Sequence, residues 1–86
     1  MPIISTFYGI IVRMNFGDHN PPHFHAEYQG FQAAFDLRTG KILAGEFPAS
    51  AKRLIETWTK KNRAALLENW KHAEAREPLE RIPGMD

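Results

Sequence analysis

The feature that most limits what this chain can fold into is an alternating run that meets its own reflection. Phe24-His25-Ala26-Glu27-Tyr28 and Phe31-Gln32-Ala33-Ala34-Phe35-Asp36 lie on either side of Gln29-Gly30, and a period of two marks a strand with one buried face. Gly30 supplies the positive φ that a tight turn requires. A two-residue loop then sets the register. Tyr28 faces Phe31, Glu27 faces Gln32, Ala26 faces Ala33, His25 faces Ala34, Phe24 faces Phe35 and His23 faces Asp36. Gln is not the preferred first residue of such a turn, so a bulged turn that shifts the pairing by one is the alternative. In the first register Phe24, Ala26, Tyr28, Phe31, Ala33, Phe35 and Leu37 point to the core. His23, His25 and Glu27 leave on the other side, so one strand offers a core face and a chemical face.

The rest of the chain is arranged around this hairpin. Phe7 to Phe16 reads as one strand, with Ile10, Val12, Met14 and Phe16 alternating with Gly9, Ile11, Arg13 and Asn15. Gly17 to Pro22 is a loop, because Gly-Asp is turn chemistry and the proline pair removes donors. Arg38-Thr39-Gly40 is a second turn, followed by a short strand over Lys41 to Ala44. Pro48 suits the first turn of a helix, and Ala51, Leu54, Ile55 and Trp58 recur at helical spacing. Asn62 is read as a break and as the N-cap of a second helix, whose apolar stripe is Leu66, Leu67, Trp70 and Ala73. Pro78 and Pro83-Gly84 exclude helix from the tail, which Leu79 and Ile82 tack down.

The expected fold is therefore α+β: a small antiparallel meander of three to four strands with two C-terminal helices packed on one face. Residues 1–86 form a single domain, with strands within 7–46, helices within 48–76 and an irregular tail over 77–86. Trp58 and Trp70 are core anchors on this reading, which argues against a DNA-binding helix-turn-helix, since both helices turn their best face to the sheet.

Composition narrows the chemistry. The 86 residues include no cysteine, so the chain holds neither disulfides nor thiolate ligands, and any metal has to sit on His, Asp and Glu. The apolar runs fall far short of a membrane span and no signal-peptide pattern opens the chain. We expect a soluble, cytoplasmic protein without membrane contact. The net charge of +1 divides unevenly: residues 48–76 carry seven basic and three acidic side chains. That balance is an ordinary solvated helical face, and only weak support for a nucleic-acid partner.

The chemical face supports two readings. A His-x-His pair on one strand holds its Cα atoms roughly 6.5 to 7 Å apart, near enough for His23 and His25 to share a metal. His19 from the loop is the expected third ligand, with Asp36, Glu27 or Asp18 as a further ligand or a partner to one. Nitrogen and oxygen donors with open positions suit a divalent transition metal such as zinc, iron or manganese. The second reading needs no metal. His23, oriented by Asp36, and His25 serve as general base and general acid, and Arg13 neutralises a phosphate or developing oxyanion. A bland alternative stands beside both: the histidines pack and hydrogen-bond on a solvated or partner-covered face, and Arg13 pairs with Glu27. His72 is expected to be exposed and idle.

Ser5-Thr6-Phe7-Tyr8-Gly9-Ile10, Asp18-His19-Asn20-Pro21-Pro22-His23-Phe24-His25-Ala26, Gly45-Glu46-Phe47-Pro48, Trp58 and Leu67-Glu68-Asn69-Trp70 strongly resemble the short bacterial and archaeal proteins grouped as domain of unknown function 4160. The His-x-Pro-Pro-His-Phe-His stretch is the distinctive part. The resemblance carries His19, His23 and His25 over as motif positions, whereas Asn62 stands where the family often has a histidine. It implies half of a bacterial two-gene, toxin-antitoxin-like module, with a small protein encoded alongside as partner and a homodimer as the other assembly. The family brings no established reaction; from the residues themselves, the histidine site is expected to perform metal-dependent or acid-base hydrolysis of RNA or another phosphoester. The alternative is a non-catalytic module that binds a partner protein or operator DNA.

Overall fold

A computed structural model describes residues 2–86. The strands are β1 (Ile3–Phe7), β2 (Ile10–Arg13), β3 (His23–Tyr28), β4 (Phe31–Asp36) and β5 (Ile42–Gly45), followed by helices α1 (Ala49–Lys61) and α2 (Arg63–Glu74). The strands form one antiparallel sheet in the order β1-β2-β3-β4-β5, a simple meander. The sheet thus has five strands where three or four were expected. The stretch read as a single strand from Phe7 to Phe16 turns back at Tyr8-Gly9, where φ is 51° and 80°. A bulge between Ile3 and Ser5 makes Ile4 and Ser5 both buried. That bulge breaks the period of two over the first strand and hides it from a pattern reading.

The central hairpin has the register that its turn predicts: His23 pairs with Asp36, Phe24 with Phe35, His25 with Ala34 and Tyr28 with Phe31. Gln29 and Gly30 both take positive φ, 48° and 85°, as a type I′ turn requires. Phe24, Ala26, Ala33, Phe35 and Leu37 are buried, but Phe31, expected in the core, is exposed. It lies beside the turn, paired with Tyr28 at the tip of the hairpin.

Both helices contribute to the core. Trp58 of α1 is fully buried, its ring 5.1 Å from Phe7 and edge-on at 5.7 Å to Phe24. Asn62 does separate the helices, but its side chain does not cap α2. Its Nδ2 donates instead to the Trp58 carbonyl at 2.9 Å, so it finishes α1. The tail returns across β1: Ile82 N–H donates to the Ile4 carbonyl and Trp58 Nε1 donates to the Pro83 carbonyl at 2.9 Å. Among the described residues no helix is long and apolar enough to cross a membrane.

Candidate metal centre

The loop between β2 and β3 is pinned before it reaches the site. Gly17 turns it with φ at 61°, and Gly17 N–H donates to the Ala73 carbonyl at the end of α2. This places Asp18 over the start of β3. The Asp18 carboxylate accepts the His19 backbone N–H on Oδ1 at 2.9 Å. Its other oxygen, Oδ2, lies 3.0 Å from His23 Nε2, 3.6 Å from His25 Nε2 and 3.2 Å from Asn15 Nδ2. One ligand atom from each of Asp18, His23 and His25 lies within 4.8 Å of the other two.

The histidines are held differently. His23 Nδ1 sits 2.7 Å from the Pro21 carbonyl, an acceptor only, so Nδ1 carries the proton and Nε2 is turned to Asp18. The His23 side chain is 13% exposed, with its ring 5.5 Å from that of Trp70. The expectation that imidazoles and core aromatics part company across the strand therefore fails at His23. It is the first residue of β3, at the sheet end, where α2 reaches the ring. His25 keeps to the open face, 35% exposed, and meets the His23 ring edge-on at 5.2 Å.

Electrostatics favour an ionised carboxylate here. Partial burial by itself would raise the Asp18 carboxyl. The His19 backbone N–H, the Asn15 amide and the His23 imidazole outweigh it and lower the pKa to about 2. An anion beside two imidazole nitrogens at neutral pH is a ready ligand set. Two donors that each lie roughly 2.0 to 2.1 Å from a tetrahedral ion stand roughly 3.3 Å apart. The 3.0 and 3.6 Å separations bracket that value and the two histidine nitrogens lie within 4.8 Å of each other, so rotation of the side chains would seat a divalent ion.

Two other expected residues are placed elsewhere. Asp36, which was to orient His23, is opposite it in the ladder, but both its oxygens engage Arg38. Oδ1 accepts the Arg38 N–H and Nε–H at 2.8 and 3.2 Å, and Oδ2 accepts Nη2–H at 2.9 Å. Those bonds hold its pKa below the usual carboxylate range, and Asp18 takes its place beside His23. His19, expected as the third ligand, is exposed, and the group that converges consists of Asp18, His23 and His25. Its backbone, not its ring, is turned to Asp18. Arg13 lies across from His25 on β2 and pairs with Glu27 at 3.4 Å, the bland reading of that residue. Around these side chains the open face holds a cavity of about 250 Å³ lined by Ile11, Arg13, His25, Glu27 and Gln32.

Asn15 was not singled out from sequence. It stands three residues before Asp18 across the Gly17 turn, and Asn-x-x-Asp about a glycine was the signal available. His72, expected to be idle, is partly exposed, and its Nδ1 lies 2.9 Å from Glu77 Oε1; that bond raises its pKa.

The family model described as domain of unknown function (DUF4160) matches residues 9–71. No curated protein and no solved structure matches the chain.

Proposed function

This chain belongs to the family of domain of unknown function 4160, and from that premise we propose that it is a divalent-metal-dependent hydrolase of RNA or another phosphoester. The observation that carries the proposal is the convergence of Asp18 Oδ2 with His23 Nε2 and His25 Nε2. Two histidines and one carboxylate leave positions free for water and substrate, and no cysteine competes. A divalent ion held there supplies Lewis-acid polarisation of a phosphoryl oxygen and acidifies water. The chain's own residues do the rest. Asp18 contributes the negative charge of the ligand set, the Pro21 carbonyl fixes the His23 tautomer, and Trp70 backs the His23 ring. Arg13 stands across from His25 beside the cavity, where releasing Glu27 frees its guanidinium for a phosphate. Water adds to phosphorus, the bridging P–O bond breaks, and the leaving oxygen takes up a proton.

The setting we propose is one half of a bacterial two-gene, toxin-antitoxin-like module in the cytoplasm, with the small protein encoded beside it as partner. One observation favours the non-catalytic alternative, a docking module for that partner. β5 is a free edge of the sheet and its Leu43 is 47% exposed, a template for strand addition.

Metal analysis of the purified protein, paired with cleavage of a labelled RNA, tests the hydrolase reading. One equivalent of zinc, iron or manganese and chelator-sensitive cleavage are expected in the wild type. Both should be lost in the His23→Ala/His25→Ala double variant. A protein that binds none of the three metals at micromolar concentration and leaves RNA intact, yet co-purifies with its neighbour, would leave only the docking reading.

A further inference from the structure

Asn15 stands where it can give the three-residue centre a fourth ligand, which a five- or six-coordinate ion accommodates while keeping a position for water and substrate. Its Nδ2 lies 3.2 Å from Asp18 Oδ2 and 3.3 Å from His25 Nε2, and Asp18 Oδ2 lies 3.0 and 3.6 Å from the two histidine nitrogens. These are four of the six separations among the donor atoms, and they fall near the roughly 3.3 Å between neighbouring ligands of one small divalent ion. The other end of the same carboxamide is anomalous: Asn15 Oδ1 is buried and has no hydrogen-bond partner. A buried carbonyl oxygen without a donor is costly, so such an atom calls for an explanation.

Resting on the metal centre described above, we infer that Asn15 is its fourth ligand and that the carboxamide rotates to bind. A half-turn about the Cβ–Cγ bond exchanges Nδ2 and Oδ1, two atoms of nearly the same reach. The enclosed end offers Oδ1 no donor, so nothing there holds the carboxamide in its present orientation. The inward end does. Faced with a carboxylate oxygen and an imidazole lone pair, the carboxamide presents its N–H groups. With a cation between those acceptors, it presents Oδ1. The donor set becomes two imidazole nitrogens, one carboxylate and one amide carbonyl. An added neutral oxygen helps a harder ion such as Mn²⁺ more than it helps Zn²⁺.

The test titrates full-length protein with Zn²⁺, Mn²⁺ and Co²⁺ against a chromophoric competitor and records the visible spectrum of the Co²⁺ form. Asn15→Ala is expected to weaken Mn²⁺ binding by tenfold or more, to weaken Zn²⁺ binding by less, and to change the Co²⁺ bands. Asn15→Asp is expected to restore or exceed wild-type affinity. As a readout without substitution, the side-chain NH₂ signals of Asn15 in ¹⁵N-labelled wild type should move on addition of Zn²⁺, as the group leaves Asp18 and His25. If Asn15→Ala keeps wild-type affinities and an unchanged Co²⁺ spectrum, the fourth-ligand role is wrong while the three-residue centre stands. A wild-type protein that binds none of the three ions overturns both.

Discussion

Two irregular segments dock on α2, and each is met by an asparagine in a different way. The tail over residues 77–86 is held by Asn69, whose Nδ2 donates to the Glu80 carbonyl at 2.8 Å while Oδ1 accepts the Glu80 N–H at 2.9 Å. Asn69 is 2% exposed and both ends of its amide are matched. The loop before β3 is held by a backbone bond from Gly17 to Ala73, and its asparagine, Asn15, faces titratable side chains with one end and nothing with the other. A fully matched polar group on backbone partners is a clamp. A half-matched one among histidines and a carboxylate is chemistry awaiting a ligand.

The sharpest way to break this contrast is to truncate both asparagines. Asn69→Ala leaves the Glu80 N–H and carbonyl without partners in a buried setting, and we expect a loss of about 2 to 4 kcal/mol. In a chain of 86 residues this lowers Tm by roughly 10 °C or more. Asn15→Ala removes a group that was itself incompletely satisfied and should cost less than about 1 kcal/mol. Equal losses in thermal or urea unfolding would erase the distinction between clamp and ligand.

A smaller effect separates the segments by pH. Asp18 has its carboxyl lowered from 3.8 to about 2 in the folded state, so its contribution is complete above about pH 3.8 and fades as the pH falls towards 2. The shift corresponds to at most about 2 kcal/mol, reduced by solvent screening at this partly exposed site. Unfolding of the wild type and of Asp18→Asn, compared from pH 5 downward, should show a stability gap of up to that size that closes by pH 2. A gap that stays constant with pH would mean that Asp18 acts by packing rather than by charge.

The smallest effect tests whether every unmatched polar atom signals function. Ser5 Oγ is buried without a partner, like Asn15 Oδ1, but it lies at the β1 bulge, opposite Val12, and outside the group that converges on Asp18. Ser5→Ala is expected to be neutral or to stabilise by up to about 1 kcal/mol, with metal affinity unchanged. A destabilisation above about 1 kcal/mol, measured in the same unfolding assay, would show that the hydroxyl has a partner after all.

The central hairpin and the helical layer were legible in the order of residues alone. Alternation on both sides of Gln29-Gly30 fixes the pairing of residues 23–28 with 31–36, because a slip of one residue would turn Phe24 and Phe35 out to water. Helical spacing fixes Trp58 and Trp70 as buried for the same hydrophobic reason. The first hairpin was not legible, since the bulge at Ile3 to Ser5 removes the period that a reader relies on. Which acid meets the histidines, by contrast, follows from contacts distant in the chain. Ladder neighbours need not be side-chain partners: Asp36 is the ladder neighbour of His23, yet the nearby Arg38 engages both its oxygens. Asp18 reaches His23 because Gly17 docks its loop on α2, a contact between residues 17 and 73 that no local pattern encodes. Strand parity is a property of the backbone and can be counted, whereas the orientation of a carboxylate depends on which donors the whole fold brings within 3 Å.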